Sequence, residues 1–234
     1  MNARTPTLFF LAFSAALAGC DRPGDAPEPA ATASETAAQA PAPVPPPSAA
    51  PAAATAPADA FLARIASHCG QAFAGRIVAN EPAQGDDPFD GKPLVMHVRE
   101  CDEREVRIPF HVGDDHSRTW VLTRTVSGLR LKHDHRHEDG SVDAVTMYGG
   151  DTTGEGSPLR QEFPVDAESV ATFEREGLNA SVTNTWAMEI DTGRRFLYEL
   201  SRPGGRLFQV EFDLTAPVAT PPTPWGHDDV SETR

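Results

Sequence analysis

The residues best able to do chemistry stand in "LRLKHDHRHEDG", 129–140, where His133, His135 and His137 recur at every second position. Imidazoles in that pattern suit a metal site, a buried polar network or an ordinary solvated strand. Written as a strand, Leu129–Glu138 puts Arg130, Lys132, Asp134, Arg136 and Glu138 on one side and Leu129, Leu131, His133, His135 and His137 on the other. The all-charged side is expected to face solvent, which turns His133 and His135 inward and leaves His137, beside the turn, at the surface. Neighbours two apart lie about 6.6 Å from each other along a strand, so His133 and His135 could share zinc or another divalent ion. His133 and His137, about 13 Å apart, could not join one tetrahedral centre. A metal site therefore needs a ligand from elsewhere, and His97 and Glu162 are the candidates across the fold.

Hairpin chemistry offers a test of those neighbours. A two-residue turn at Asp139-Gly140 pairs His137 with Val142, His135 with Ala144 and His133 with Thr146. A two-residue turn at Ser127-Gly128 pairs His133 with Leu122, His135 with Trp120 and His137 with Arg118. Neither register supplies a carboxylate, thiolate or second imidazole. What it supplies is an inward wall of Trp120, Leu122, Arg124, Leu131, His133, His135 and Tyr148. Buried arginine and imidazole each need a partner. Two readings of the wall stay open: a small-molecule pocket, or a polar network satisfied by its own members and water.

The elements that must hold this wall read as mainly β. "DAFLARIASHCGQAFAG" has Phe61, Leu62, Ile65, Ala66 and Phe73 near helical spacing, which predicts a helix capped by Asp59 and stopping near Gly75. Beyond it the period becomes two. Strands are predicted at 76–80, 94–101, 105–112, 118–125, 129–137, 142–148, 159–163, 181–190, 195–201 and 206–214, with "PVDAESVATFEREG" as one short inserted helix. About ten strands with short turns predict an antiparallel meander closed as a barrel or folded as a sandwich. That architecture resembles the calycin class of lipocalin-like barrels, although "GRIVANEP" lacks the Gly-x-Trp of lipocalins. "YGGDTTGEGS" is expected to be a flexible loop at the barrel mouth, and "DDPFD", "GDD" and "HEDGSVD" read as acidic turns without EF-hand spacing.

The N-terminus carries the most specific motif. Arg4 is followed by the apolar run Leu8–Leu17 and then Leu17-Ala18-Gly19-Cys20. Such a run is too short to span a bilayer and has the layout of an export signal. The last four residues resemble the lipobox of bacterial lipoproteins. The resemblance implies a signal peptide over 1–19 and a mature chain beginning at an acylated Cys20, anchored through diacylglycerol and a further acyl chain such as palmitate. Each buried methylene of such chains adds about 0.8 kcal/mol of membrane affinity. Asp21 follows the enterobacterial pattern for inner-membrane retention, and the choice between inner and outer membrane stays open.

Residues 20–58, rich in proline and alanine, predict a lipidated tether without a core of its own. Residues 59–217 form one domain by size, and 218–234 a disordered tail. The net charge is −14, and residues 1–58 hold two basic and four acidic groups, leaving −12 on 59–234. That excess argues against nucleic acid as a partner. With Cys20 assigned to lipid, Cys69 and Cys101 predict one disulfide, as an oxidising envelope favours. No Gly-x-Ser-x-Gly elbow, HExxH or P-loop occurs, so the expectation is non-enzymatic: a ligand-binding barrel or an envelope structural or interaction module. A divalent-metal protein on His133 and His135, with metal-dependent catalysis behind it, is the alternative.

Overall fold

A computed structural model of the chain describes residues 56–83 and 88–228. The expected signal peptide, Cys20, Asp21, most of the expected tether, Asp86, Asp87 and residues 229–234 lie outside the described residues.

The first helix, α1 (Pro57–Ala66), begins two residues before the expected domain boundary, with proline in its first turn, where a missing N–H costs nothing. Ala58, Phe61, Leu62 and Ile65 make its buried stripe. Asp59 is not the cap. Residue 56 holds that position, and the Asp59 carboxylate instead pairs with Arg124. The helix also ends sooner than expected, because Gly70 at φ +80° turns the chain before Gly75 is reached. Phe73, whose spacing fits a helix, therefore lies on a strand and points into the core from there.

The strands are β1 (Ala72–Glu81), β2 (Leu94–His97), β3 (Glu100–Cys101), β4 (Glu105–Val112), β5 (Asp115–Arg124), β6 (Leu129–His135) and β7 (Tyr148–Asp151). They continue as β8 (Arg160–Pro164), β9 (Thr185–Asp191), β10 (Arg195–Arg202) and β11 (Arg206–Val218). The helix α2 (Ala167–Arg175) lies between β8 and β9, as expected, and the chain from Asn179 to Ser181 is a 3₁₀ turn rather than the start of β9. The strand order is β7-β6-β5-β4-β2-β1-β11-β10-β9-β8, entirely antiparallel, with β3 beside β4. The sheet curls until its two edges almost meet, so the expected barrel form is present. Residues 94–101, expected as one strand, break at Val98-Arg99 into β2 and β3.

The seam between β7 and β8 is closed without a strand ladder. The backbone N–H of Asp166 donates to the Gly149 carbonyl at 2.9 Å, and the Gly149 N–H donates to the Ser169 hydroxyl at 2.8 Å. Asp166 caps α2 by accepting from the Ser169 N–H at 2.8 Å. The glycines allow this approach: a Cβ on Gly150 would lie 1.8 Å from the Pro164 carbonyl oxygen. "YGGD" is thus edge strand rather than loop.

α1 packs against β4 and β5 and also against β8 and β9, so it stops one end of the barrel. The core between is aromatic: Phe61, Phe73, Phe163, Phe196 and Phe212 are all under 2% exposed. Cys69, just after α1, is bonded to Cys101 on β3 across 32 residues, as expected. Closing a loop of that length is worth about 3–4 kcal/mol.

Candidate functional site

Inward alternation on β6 continues from Leu129 and Leu131 to His133, which is 3% exposed. The register with β5 pairs His133 with Trp120 and His135 with Arg118, two residues away from the expected pairing. A four-residue connection, Thr125–Gly128, replaces the two-residue turn, and because both lengths are even the inward side is unchanged. On the other flank His133 pairs with Tyr148 instead of Thr146, since 136–147 is a long loop with a single bridge from Arg136 to Val142. The expected strand over 142–148 is therefore replaced by that loop and β7. His137 lies in the loop and is exposed, as expected.

The charged side of β6 is covered at Lys132 and Asp134, contrary to the alternation argument, while Arg130 is exposed as expected. Lys132 is 8% and Asp134 3% exposed. Lys132 Nζ reaches Asp166 at 2.7 Å beneath the first turn of α2. Asp134 accepts from Arg136 Nε at 2.8 Å and has His227 Nε2 at 3.5 Å. Burial pushes the Asp134 carboxyl up, but the nearby His227 ring and the hydrogen bonds from Arg136 outweigh it and hold it below the usual range. The cover on this side is the C-terminal segment, expected to be disordered. Through Asp228 it lies on the barrel wall, with the Trp225 N–H donating to the His116 carbonyl at 3.1 Å.

On the inner side each histidine is engaged by tyrosine. His133 Nδ1 lies 3.1 Å from the Tyr148 carbonyl and so carries the proton; its Nε2 accepts from the Tyr198 hydroxyl at 2.8 Å. His135 Nε2 is 3.1 Å from the Tyr148 hydroxyl. Burial first, and His135 second, push His133 down to about 3, while burial and then Arg118 push His135 down to about 4. Burial raises Tyr148 to about 12 and Tyr198 above its ordinary value, so both phenols stay neutral.

These groups form one wall of a cavity of about 420 Å³ at the barrel end opposite α1. Trp120 stacks on Tyr198 at 4.4 Å and on Phe110 at 4.9 Å, and His133 stacks on Tyr148 at 4.6 Å. Leu200, Phe208 and Trp186 complete the apolar lining, and Arg118, Arg202 and Arg206 stand among the lining groups with one carboxylate, Asp143. Of the wall expected from sequence, Trp120, His133, His135 and Tyr148 line the cavity. Leu122 and Leu131 lie deeper, fully buried in the core. Arg124 is at the closed end, held by Asp59 and by the Gly128 carbonyl at 2.8 Å. Neither proposed distant ligand joins the histidines: His97 packs beside Arg99 and His111, while Glu162 is exposed and paired with Arg160 at 3.1 Å. No group of three metal-ligating side chains occurs among the described residues. No protein-family model matches the chain, and neither curated proteins nor solved structures gave a similar one.

The sequence reading missed the part of the lining that comes from β9, β10 and β11. Alternation did hold a signal for it: Phe196, Tyr198, Leu200 and Arg202 share one side of β10, and Arg206, Phe208, Val210 and Phe212 share the matching side of β11. Phe173 and Leu178, from α2 and the turn after it, carried no such signal, because only the folded barrel brings them to the mouth.

A second histidine pair was also missed. His111 Nδ1 and His116 Nδ1 are 2.7 Å apart on β4 and β5, so one donates and the other accepts. Burial first, and His116 next, push His111 down to about 4.

Proposed function

We propose that this chain is a lipid-anchored envelope protein whose barrel binds a small, largely apolar molecule. The observation that carries the reading is the cavity itself: about 420 Å³, stacked aromatics along its wall, and a few fixed hydrogen-bonding groups. Binding sites for small molecules have that size and mixture. The anchor is Cys20 in its lipobox-like context, with the tether spacing the domain from the membrane. The site is built for holding rather than proton transfer. Both His133 nitrogens are engaged and its ring stays neutral, which suits a rigid wall. The divalent-metal alternative on His133 and His135 gains no converging donor set.

The test uses full-length chain carrying Cys20→Ser, so that no acyl chain competes for the cavity. N-phenyl-1-naphthylamine is titrated while tryptophan is excited, with energy transfer from Trp120 and Trp186 as the readout. One saturable site is expected. Leu200→Trp, which fills the cavity without removing a polar group, is expected to weaken binding at least tenfold while circular dichroism stays native. Undiminished binding in a folded Leu200→Trp chain would place the probe elsewhere and end the reading.

A further inference from the structure

We infer that the cavity takes an amphiphile with one anionic group, seated between Arg202 and Arg206, and an apolar body running inward to Trp120 and Tyr198. This rests on the ligand-binding reading above and specifies its chemistry. Arg202 and Arg206 flank the turn Pro203-Gly204-Gly205 and are paired directly opposite each other on the inward side of β10 and β11. Like charges in that position are unfavourable unless something lies between them.

Among the described residues, nothing anionic does. Arg202 donates to the Asn184 side-chain carbonyl and stands 3.5 Å from the Ser181 hydroxyl. Arg206 donates to the Asn80 side-chain carbonyl at 2.6 Å and stands 3.4 Å from the backbone carbonyls of Glu81 and Pro82. All of these partners are neutral, and no carboxylate pairs with either guanidinium among the described residues. The contrast with Arg118, Arg130, Arg136, Arg160 and Arg195 is plain, since each of those has an acidic partner. In a chain of net charge −14, two adjacent guanidiniums without a carboxylate partner among the described residues are a specific local departure.

The remaining lining places the charge at the rim. The deeper histidines are neutral, and the remaining lining cation, Arg118, is already paired with Asp115 at 2.6 Å, so the interior offers hydrogen bonds and aromatic faces but no unpaired cation among the described residues. Arg206 lies over the Phe208 ring at 5.6 Å, which keeps its planar fork beside the apolar wall. Burial and the neighbouring Arg206 both press Arg202 towards its neutral form, a pressure that an anion relieves. Carboxylate, sulfonate and phosphate ester groups all fit a bidentate guanidinium pair.

The test compares two probes of nearly one shape on the Cys20→Ser chain: 1-anilinonaphthalene-8-sulfonate, an anion, and N-phenyl-1-naphthylamine, its neutral counterpart. The anion is expected to bind at least tenfold tighter. In the Arg202→Gln/Arg206→Gln chain that advantage is expected to vanish while the neutral probe binds as before. The Arg202→Lys/Arg206→Lys chain is expected to retain part of it and to show that the site still folds. Raising the salt from 0.05 to 0.5 M is expected to weaken only the anion. Equal binding of both probes to the unaltered site, or equal losses for both in the glutamine variant, would overturn the anionic inference and leave the pocket standing. Binding of neither probe would remove the pocket reading and the inference with it.

Discussion

His133 shows how one polar side chain can be both a wall and a brace. Its Nδ1 donates to the Tyr148 carbonyl and its Nε2 accepts from the buried Tyr198 hydroxyl. A buried polar group left unpaired costs about 1–3 kcal/mol, so His133→Leu is expected to lower unfolding free energy by about 2–4 kcal/mol. Urea denaturation followed by tryptophan emission measures it; a loss under 1 kcal/mol would mean that the network is not structural. At this scale the sequence was legible where alternation rules and illegible where it does not. The inward side of Leu129–His135 follows from its pattern, because a period of two survives any even-length turn. The burial of Lys132 and Asp134 does not, because their cover comes from α2 and from residues near 227, remote in sequence.

Among the elements, β7 is the delicate one. It has four residues, a single ladder on β6 and an edge held to β8 by the first turn of α2. Gly150→Ala would set a Cβ against the Pro164 backbone carbonyl, which cannot swing aside as a side chain could. Since the seam must open to admit it, a loss of about 2 kcal/mol or more is expected by denaturation, with faster amide exchange in β7 and β8 than in β10 and β11. Unchanged exchange there would show that the seam is not held by this contact. The sequence could not announce this seam, since "YGGDTTGEGS" looks like loop by composition and becomes strand only through β6. The same limit applies to α1: Phe73 fits a helical count, and the positive φ of Gly70 overrides it. The number, order of appearance and antiparallel sense of most strands were readable, because turn residues and period-two runs are local signals.

For the whole molecule, acid is the revealing variable. His111, His133 and His135 are held at about 4, 3 and 4 in the fold and return towards about 6.5 when the chain unfolds. Between those values the unfolded chain binds more protons, so stability rises with pH and falls on acidification from about 6.5 to about 4. Each fully shifted histidine contributes a slope of about 1.4 kcal/mol per pH unit. The groups facing His111 are His97, His116, Asp115 and Arg99, and of these only Asp115 opposes the depression. Denaturant titrations at pH 7.5, 5.5 and 4.5 are expected to show a progressive loss, shallower by about 1.4 kcal/mol per unit in His133→Leu. Constant or rising stability over that window would contradict the burial of the three rings.

The central claim is that the barrel interior receives a ligand, and crystallography with a brominated N-phenyl-1-naphthylamine tests it most directly. The expected result is one anomalous bromine peak within the barrel, beside Trp120, Tyr198 and Phe208. Peaks confined to the outer surface, at a probe concentration that saturates the chain in solution, would contradict it.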